Sequence, residues 1–169
     1  MFNDIKLDLK EYKTFRENIN KSSIWILIQR DYAQIMLIHR IRCKLIKLGI
    51  LPANHILRRL QSSIYGIEIG KEVSLGHGVR FVHPVGITLG GDSRIGHRVT
   101  FLGGNTVGTA KNNGYPRIGD DVTIGAGAKI IGPIEVGSQT TIGANSVVNR
   151  SAPERAILIG LPARPLKSK

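Results

Sequence analysis

Residues 117–148 read RIGDDVTIGAGAKIIGPIEVGSQTTIGANSVV, and the spacing within this stretch decides the fold. Ile118, Ile124, Ile130, Val136, Ile142 and Val148 recur at a period of six. A Gly follows the apolar residue in IGDDVT, IGAGAK, VGSQTT and IGANSV. Six is neither the helical period nor the simple alternation of a strand. It fits a chain that turns a corner every six residues, with three segments closing one triangular coil of a parallel β-helix. The apolar residue then points inward and stacks on its equivalents one coil away. The Gly beside it is expected to serve the turn, where positive φ is wanted.

Working towards the N-terminus, the same period runs through Ile69, Leu75, Phe81 and Ile87. A two-residue slip follows, then Leu89, Ile95, Phe101 and Val107. A second small or β-branched residue accompanies the series at Val73, Val79, Val85, Val99, Val122, Ala128 and Ile134. An 11-residue step separates Val107 from Ile118, so residues 104–117 (GNTVGTAKNNGYPR) are read as a loop inserted into the coil. A loop leaving a rigid scaffold is a natural carrier of function. The solenoid is expected over residues 64–150.

A solenoid needs caps. The Gly-poor front, residues 1–63, reads as helices over 4–18, over 22–49 with Ser22 and Ser23 as N-caps, and over 54–63 after Pro52. At the other end residues 151–169 hold Pro153, Pro162 and Pro165, and read as a short strand with an extended basic tail.

Composition narrows the class. Of 169 residues 41% are hydrophobic and 21% charged, which describes a folded chain and not a disordered one. The longest apolar run, Ile24 to Ile28, has five residues, whereas a membrane-spanning helix needs about 20. Cys43 is the single cysteine, so neither an intrachain disulfide nor a cysteine-based metal site is expected. The first residues carry early acids and no apolar core, which argues against a cleaved secretory signal and makes the cytoplasm the default expectation. The net charge is +12, with 12 basic and 5 acidic residues in 1–63 alone. Such a balance suits a polyanion, a phospholipid surface or a phosphorylated cofactor. Nothing supports nucleic-acid binding, because no aromatic platform or recognition motif accompanies the charge.

The hexapeptide coils, with IGAGAKIIGPIEVG, IGANSVV and GLPAR, resemble the left-handed β-helix acyltransferases. Within them the chain is most similar to serine acetyltransferases and to the serine-acetyltransferase-like O-acetyltransferases of polysaccharide clusters. The resemblance covers residues 64–166 strongly and the helical front weakly. It implies a mainly β fold, a left-handed parallel β-helix with an N-terminal α-helical region. It also implies acetyl-CoA as donor and a homotrimer with active sites between subunits.

Acetyl transfer to an alcohol needs a base for the hydroxyl proton, and His suits that role near neutral pH. His39 and His55 lie in the helical front. His77 and His97 each follow a turn Gly, where side chains usually face solvent. His83, in FVHPVGI, sits in an irregular hexapeptide, and the resemblance makes it the general base. The family places an orienting acid 15 residues earlier, which gives Glu68, with Glu where Asp is more usual. The resemblance also runs the pantetheine arm past main-chain groups near Gly104, Asn105 and Ala126, with Arg150, Arg164 and Lys167 as candidates for the phosphates.

Departures from the pattern bear on the acceptor. Serine acetyltransferases carry an Asp directly before the catalytic His, and here that residue is Val82. They carry an Arg-His pair before the Pro that restarts the coils, and here the pair is Gly114 and Tyr115. A zwitterionic acceptor needs charged partners, because a buried unpaired charge is costly. The expected activity is therefore acetyl-CoA-dependent O-acetylation of a saccharide or polysaccharide intermediate, with Val82 and Tyr115 near the acceptor. Serine O-acetylation is the alternative, and a non-catalytic membrane-surface anchor a more distant one. A cytoplasmic enzyme with peripheral contact at the inner membrane would reconcile charge and catalysis. A γ-type carbonic anhydrase needs His ligands spaced HxxxxH, which His77, His83 and His97 do not supply, so no metal is expected.

Overall fold

In the computed structural model residues 2–14, 26, 30–109, 111 and 113–165 are described. The helices whose bounds lie among the described residues are α1 (Phe2–Thr14), α2 (Asp31–Lys47) and α3 (Leu51–Tyr65). Fifteen short strands follow, from β1 (Glu68–Ile69) to β15 (Ala163–Pro165). They form three parallel faces: β1-β4-β7-β10-β13, β2-β5-β8-β11, and β3-β6-β9-β12-β14, with β15 closing the third face antiparallel to β14. The period of six is thus the length of one side of a triangular coil.

Three inward columns fill the prism. Ile69 stacks on Leu89, Val107, Ile130 and Val148; Leu75 on Ile95, Ile118 and Val136; Phe81 on Phe101, Ile124, Ile142 and Leu158. All are buried, and the Phe81 and Phe101 rings lie parallel 5.4 Å apart. No helix among the described residues is long and apolar enough to cross a membrane.

Two parts of the periodic reading change. The slip does not fall between Ile87 and Leu89. Ile87 is buried two residues ahead of its column residue, as Val79 and Val99 are, whereas Val85 is 72% exposed. The extra residues therefore lie in the corner between β3 (Arg80–Phe81) and β4 (Thr88–Leu89), around His83 and Val85. Register says the same: Glu68 pairs with Thr88 and Arg80 with Thr100, 20 residues on, whereas Thr88 pairs with Thr106, 18 on.

The second change concerns glycine. The Gly after each column residue does not hold positive φ; at Gly76, Gly96, Gly119, Gly125 and Gly137 it is small because the coils approach closely. A Cβ on Gly76 would stand 2.5 Å from the Gly96 carbonyl carbon, and one on Gly96 would stand 2.6 Å from that of Gly119. Positive φ falls two residues later, at Gly78, Arg98, Asp121, Gln139 and Arg155, stacked along one edge.

The helical front also differs from expectation. Arg30 is extended, at φ −125 and ψ 111, so α2 begins at Asp31 and does not run unbroken over 22–49. Ser22, Ser23 and residues 15–18 lie outside the described residues. Helix α3 starts at Leu51 with Pro52 in its first turn, where a missing N–H costs nothing, and stops at Gly66 in the left-handed region. The inserted loop is shorter than 104–117, because Thr106–Gly108 forms β7 and Val107 joins the core. The C-terminal part returns as a hairpin, Ile157–Gly160 against Ala163–Pro165, where an extended tail was expected.

Polar contacts seat the helices on the first coil. Arg40 is held by Asp8 at 3.0 Å and donates to the carbonyls of Leu75 and Gly76 at 2.8 Å. Arg42, 1% exposed, donates to Asn54 Oδ1, Gln61 Oε1 and the Ile69 carbonyl, which satisfies a guanidinium buried without a carboxylate.

Candidate active site

The lengthened corner of the first coil carries His83. Val82 N–H donates to the Phe101 carbonyl, Gly86 N–H to that of Gly66, and Ile87 N–H to that of Pro84. Pro84 is buried while Val82, His83 and Val85 are exposed, so the corner is anchored at both ends and lifts the imidazole outward. Among the described residues the His83 side chain makes no hydrogen bond, which leaves both ring nitrogens open to an acceptor hydroxyl or an orienting acid.

Small residues lie along this edge. A Cβ on Gly103, whose φ is 139, would fall 2.9 Å from the His83 carbonyl oxygen and 3.1 Å from its Cβ. Gly104 N–H donates to the Val85 carbonyl, Gly127 N–H to that of Gly103, and Asn145 N–H to that of Ala126. Gly103, Gly104, Ala126 and Gly127 thus form a path of small residues beside His83, with the Asn145 side chain packed against Gly127 and Lys129 Nζ donating to the Gly104 carbonyl at 2.8 Å and to Thr106 Oγ1 at 3.1 Å.

The candidate acid is engaged elsewhere. Glu68, on β1 opposite Thr88, is exposed and takes a hydrogen bond from Arg58 Nη1 of α3 at 3.1 Å. The structure does not join it to His83.

The expected donor-binding residues divide. Asn105, expected near the pantetheine through its main chain, is fully buried: its Oδ1 accepts from Gly103 N–H at 3.0 Å, its Nδ2 donates to the Gly125 carbonyl at 2.6 Å, and its own carbonyl accepts from Thr88 N–H. Gly104 likewise has its N–H and carbonyl bound to Val85 and Lys129. Ala126 is exposed, and among the described residues its amide N–H is left open. Arg150 is exposed. Arg164 lies on β15 with its backbone paired to Ile159, and Lys167 is outside the described residues.

Tyr115 occupies a different corner. Its ring rests on the backbone of Gly90 and Gly91, in the turn after β4, and is half-buried. Gly114, at φ 115, presses on Pro133. The chain therefore holds Val82 and His83 at one edge of the prism and Tyr115 at another.

Sequence reading missed a polar column at the third edge. His77 N–H donates to His97 Nδ1 at 3.0 Å, the rings stack 5.1 Å apart, and His97 N–H donates to Asp120 Oδ1 at 2.7 Å. Asp8 of α1 stands 3.9 Å from His77. These histidines lie against the scaffold, not in free solvent. The signal was available: LGHGVR and IGHRVT place both at the same point of the repeat. No cluster of three metal-ligating side chains occurs among the described residues.

A triangular parallel solenoid with an exposed His at an irregular corner, beside a path of small residues, defines the class of hexapeptide-repeat acyltransferases. Residues 115–150 match the bacterial transferase hexapeptide (six repeats) family. The serine acetyltransferase of Haemophilus influenzae is 45% identical over 106 residues, which cover 61% of this chain and 40% of that protein. The serine acetyltransferase of Neisseria gonorrhoeae, solved in complex with serine, superposes with a TM-score of 0.86 at 30% identity over 98% of this chain and 69% of that one. A serine acetyltransferase solved in complex with CoA gives 0.87 at 31% identity over 97% and 68%. The chain belongs to the hexapeptide-repeat acyltransferases, close to the serine acetyltransferases, and its solenoid is the left-handed β-helix. It spans 40% to 63% of the length of the curated serine acetyltransferases it matches.

Proposed function

We propose that this chain is an acetyl-CoA-dependent O-acetyltransferase in which His83 is the general base. The observation that carries this reading is the lifted His83 corner beside the path of Gly103, Gly104, Ala126 and Gly127. The path suits a narrow pantetheine arm lying against the backbone, with the Ala126 amide as a donor to it. Arg150, Arg164 and Lys167 are the candidates for the phosphates. His83 takes the acceptor's hydroxyl proton as the new C–O bond forms. It returns that proton to the thiolate released when the C–S bond breaks. Glu68 orients the imidazole once its carboxylate turns from Arg58 to His83.

Serine is the acceptor that the named relatives support, because they are serine acetyltransferases, one of them solved with serine. This reading stands above the saccharide expectation. A saccharide hydroxyl remains as a second reading on one specific observation: Val82, Gly114 and Tyr115 put no charge where the resemblance asks for Asp, Arg and His.

The assembly we propose is a homotrimer with shared sites. His83 and Tyr115 sit on different edges of one prism, so they meet only across a subunit boundary. Val82 and Val85 are exposed beside His83, 46% and 72%, and closed cyclic packing would cover them. A free Cys43 and an acetyl-CoA donor fit the cytoplasm. The exposed Ile56, Leu60 and Ile64 of α3, flanked by Arg59, are compatible with peripheral contact at the inner membrane.

The test is release of CoA thiol from acetyl-CoA with L-serine and with a panel of sugars and sugar nucleotides. Acetylated product with any of them supports the reaction class. No turnover with any hydroxyl acceptor, from a trimer that binds acetyl-CoA, would remove it.

A further inference from the structure

A cavity of about 670 Å³ opens between the helices and the first coil, on a different edge from His83. Its walls include Phe2, Ile46, Val73 and Leu75, and four cations line it: Arg40, Lys44, Lys47 and Lys71. Asp4 and Glu72 are the carboxylates that line it among the described residues. The volume lies in the range of small-molecule sites, roughly 300–1,000 Å³.

The cations are not equivalent. Arg40 is occupied by Asp8 and two carbonyls, and Lys71 stands 3.5 Å from Glu72. Lys44 and Lys47, three residues apart on α2 and so on one side of it, have no carboxylate partner among the described residues. Of the remaining polar lining, Asp4 carries a carboxylate, whereas His39, Cys43 and Ser74 carry no charge. His39, 2% exposed, is held neutral by burial and by Arg40 and Arg42, with its pKa lowered to about 3. Burial pushes the Cys43 thiol up, so it stays protonated. Two ammonium groups without a carboxylate partner among the described residues thus stand over apolar surface, with the Asp4 carboxylate on the same lining.

We propose that this cavity binds a small organic anion, with Lys44 and Lys47 on a carboxylate, sulfonate or phosphate and Phe2, Ile46, Val73 and Leu75 against an apolar body. Such a ligand touches α2 and the first coil together. Bound to the folded chain alone, it raises the melting temperature. The competing account is that both lysines are solvated charges at a helix C-terminus, where the dipole favours them.

The probe is 8-anilinonaphthalene-1-sulfonate, with uncharged N-phenyl-1-naphthylamine as its control. Cys43 is the chain's single cysteine and lines the cavity, so its alkylation by N-ethylmaleimide reports occupancy. The sulfonate should saturate at one per chain and slow alkylation at least about fivefold. The uncharged control should bind at least about tenfold more weakly, since a charge-assisted hydrogen bond is worth that much. Lys44→Glu with Lys47→Glu should lower sulfonate affinity by at least about tenfold at unchanged circular dichroism. If that pair does not fold, Lys44→Gln with Lys47→Gln takes its place, with at least about a threefold loss expected. Sulfonate binding that leaves Cys43 alkylation unchanged, equal affinity for the uncharged control, indifference to the lysine changes, or no saturable binding would each overturn the assignment. None of these readouts depends on acetyl transfer.

Discussion

The Tyr115 ring lies on the backbone of Gly91, so close that a Cβ at position 91 would fall 2.0 Å from its Cζ. Gly91 also holds φ 56, a conformation that disfavours an L side chain. The end of the excursion between β7 and β8 is therefore seated by one aromatic ring on one glycine. Gly91→Ala should cost about 1–3 kcal/mol, from the left-handed backbone and the displaced ring. Gly91→Ala with Tyr115→Ala should cost less than the sum of the two single changes, because the clash is shared. Thermal unfolding of the four proteins checks this, and strict additivity would separate the residues.

His83→Ala should lower turnover at least about 10²-fold with acetyl-CoA binding retained, as loss of a general base requires. Glu68→Gln should lose less. Arg58→Ala should leave the melting temperature nearly unchanged, since an exposed pair contributes about 0–1 kcal/mol. It frees the Glu68 carboxylate for His83, stabilises the imidazolium, and should move the acidic limb of the pH–rate profile upward. That movement should vanish in Arg58→Ala with Glu68→Gln. An unshifted limb in Arg58→Ala would detach Glu68 from the base.

Stability at acid pH should follow His39. Its folded pKa is lowered from 6.5 to about 3, first by burial and then by Arg40 and Arg42. Below 6.5 the unfolded chain takes up a proton that the folded chain refuses, so stability falls as the pH drops from 6.5 towards 3. At pH 4.5 this contribution amounts to about 2–3 kcal/mol. His39→Leu should flatten the decline by that amount relative to the wild type. Parallel pH–stability curves for the two proteins would mean that the imidazole is hydrated in solution.

The solenoid was legible because one side of each coil is one hexapeptide, and Ile118 to Val148 repeat it without interruption. The same arithmetic failed where the chain departs from six. Ile87 continues the count past Phe81 but lies off the inward column, since the additional residues sit around His83. Asn105 was named through the resemblance alone, and no local pattern foretold that its side-chain amide bridges Gly103 and Gly125 inside the corner. The Glu68–Arg58 pair was out of reach, since it joins a helix to a strand and no local pattern encodes that distance. Tyr115 was singled out as a departure, but its seat on Gly91 depends on stacking between coils that only the register reveals.

The acceptor turns on Val82. A serine ammonium bound beside His83 wants an anion, and Val82 supplies none. A charge-assisted hydrogen bond is worth about 1.5–3 kcal/mol, or roughly 10- to 150-fold in specificity. Val82 is exposed at an anchored corner, so Val82→Asp adds a carboxylate without opening the core. Gly114 is a poor place for the matching cation, because at φ 115 it stands against Pro133. Val82→Asp should therefore raise kcat/KM for L-serine at least about tenfold. It should lower kcat/KM for any saccharide that proves to be a substrate. Steady-state kinetics on both acceptors reads the two arms together. If the wild type already reaches about 10⁴ M⁻¹s⁻¹ with L-serine and Val82→Asp brings no gain, other charges hold the zwitterion and the saccharide reading falls. If Val82→Asp creates serine turnover that the wild type lacks, the native acceptor has no ammonium at that corner, and the serine reading falls instead.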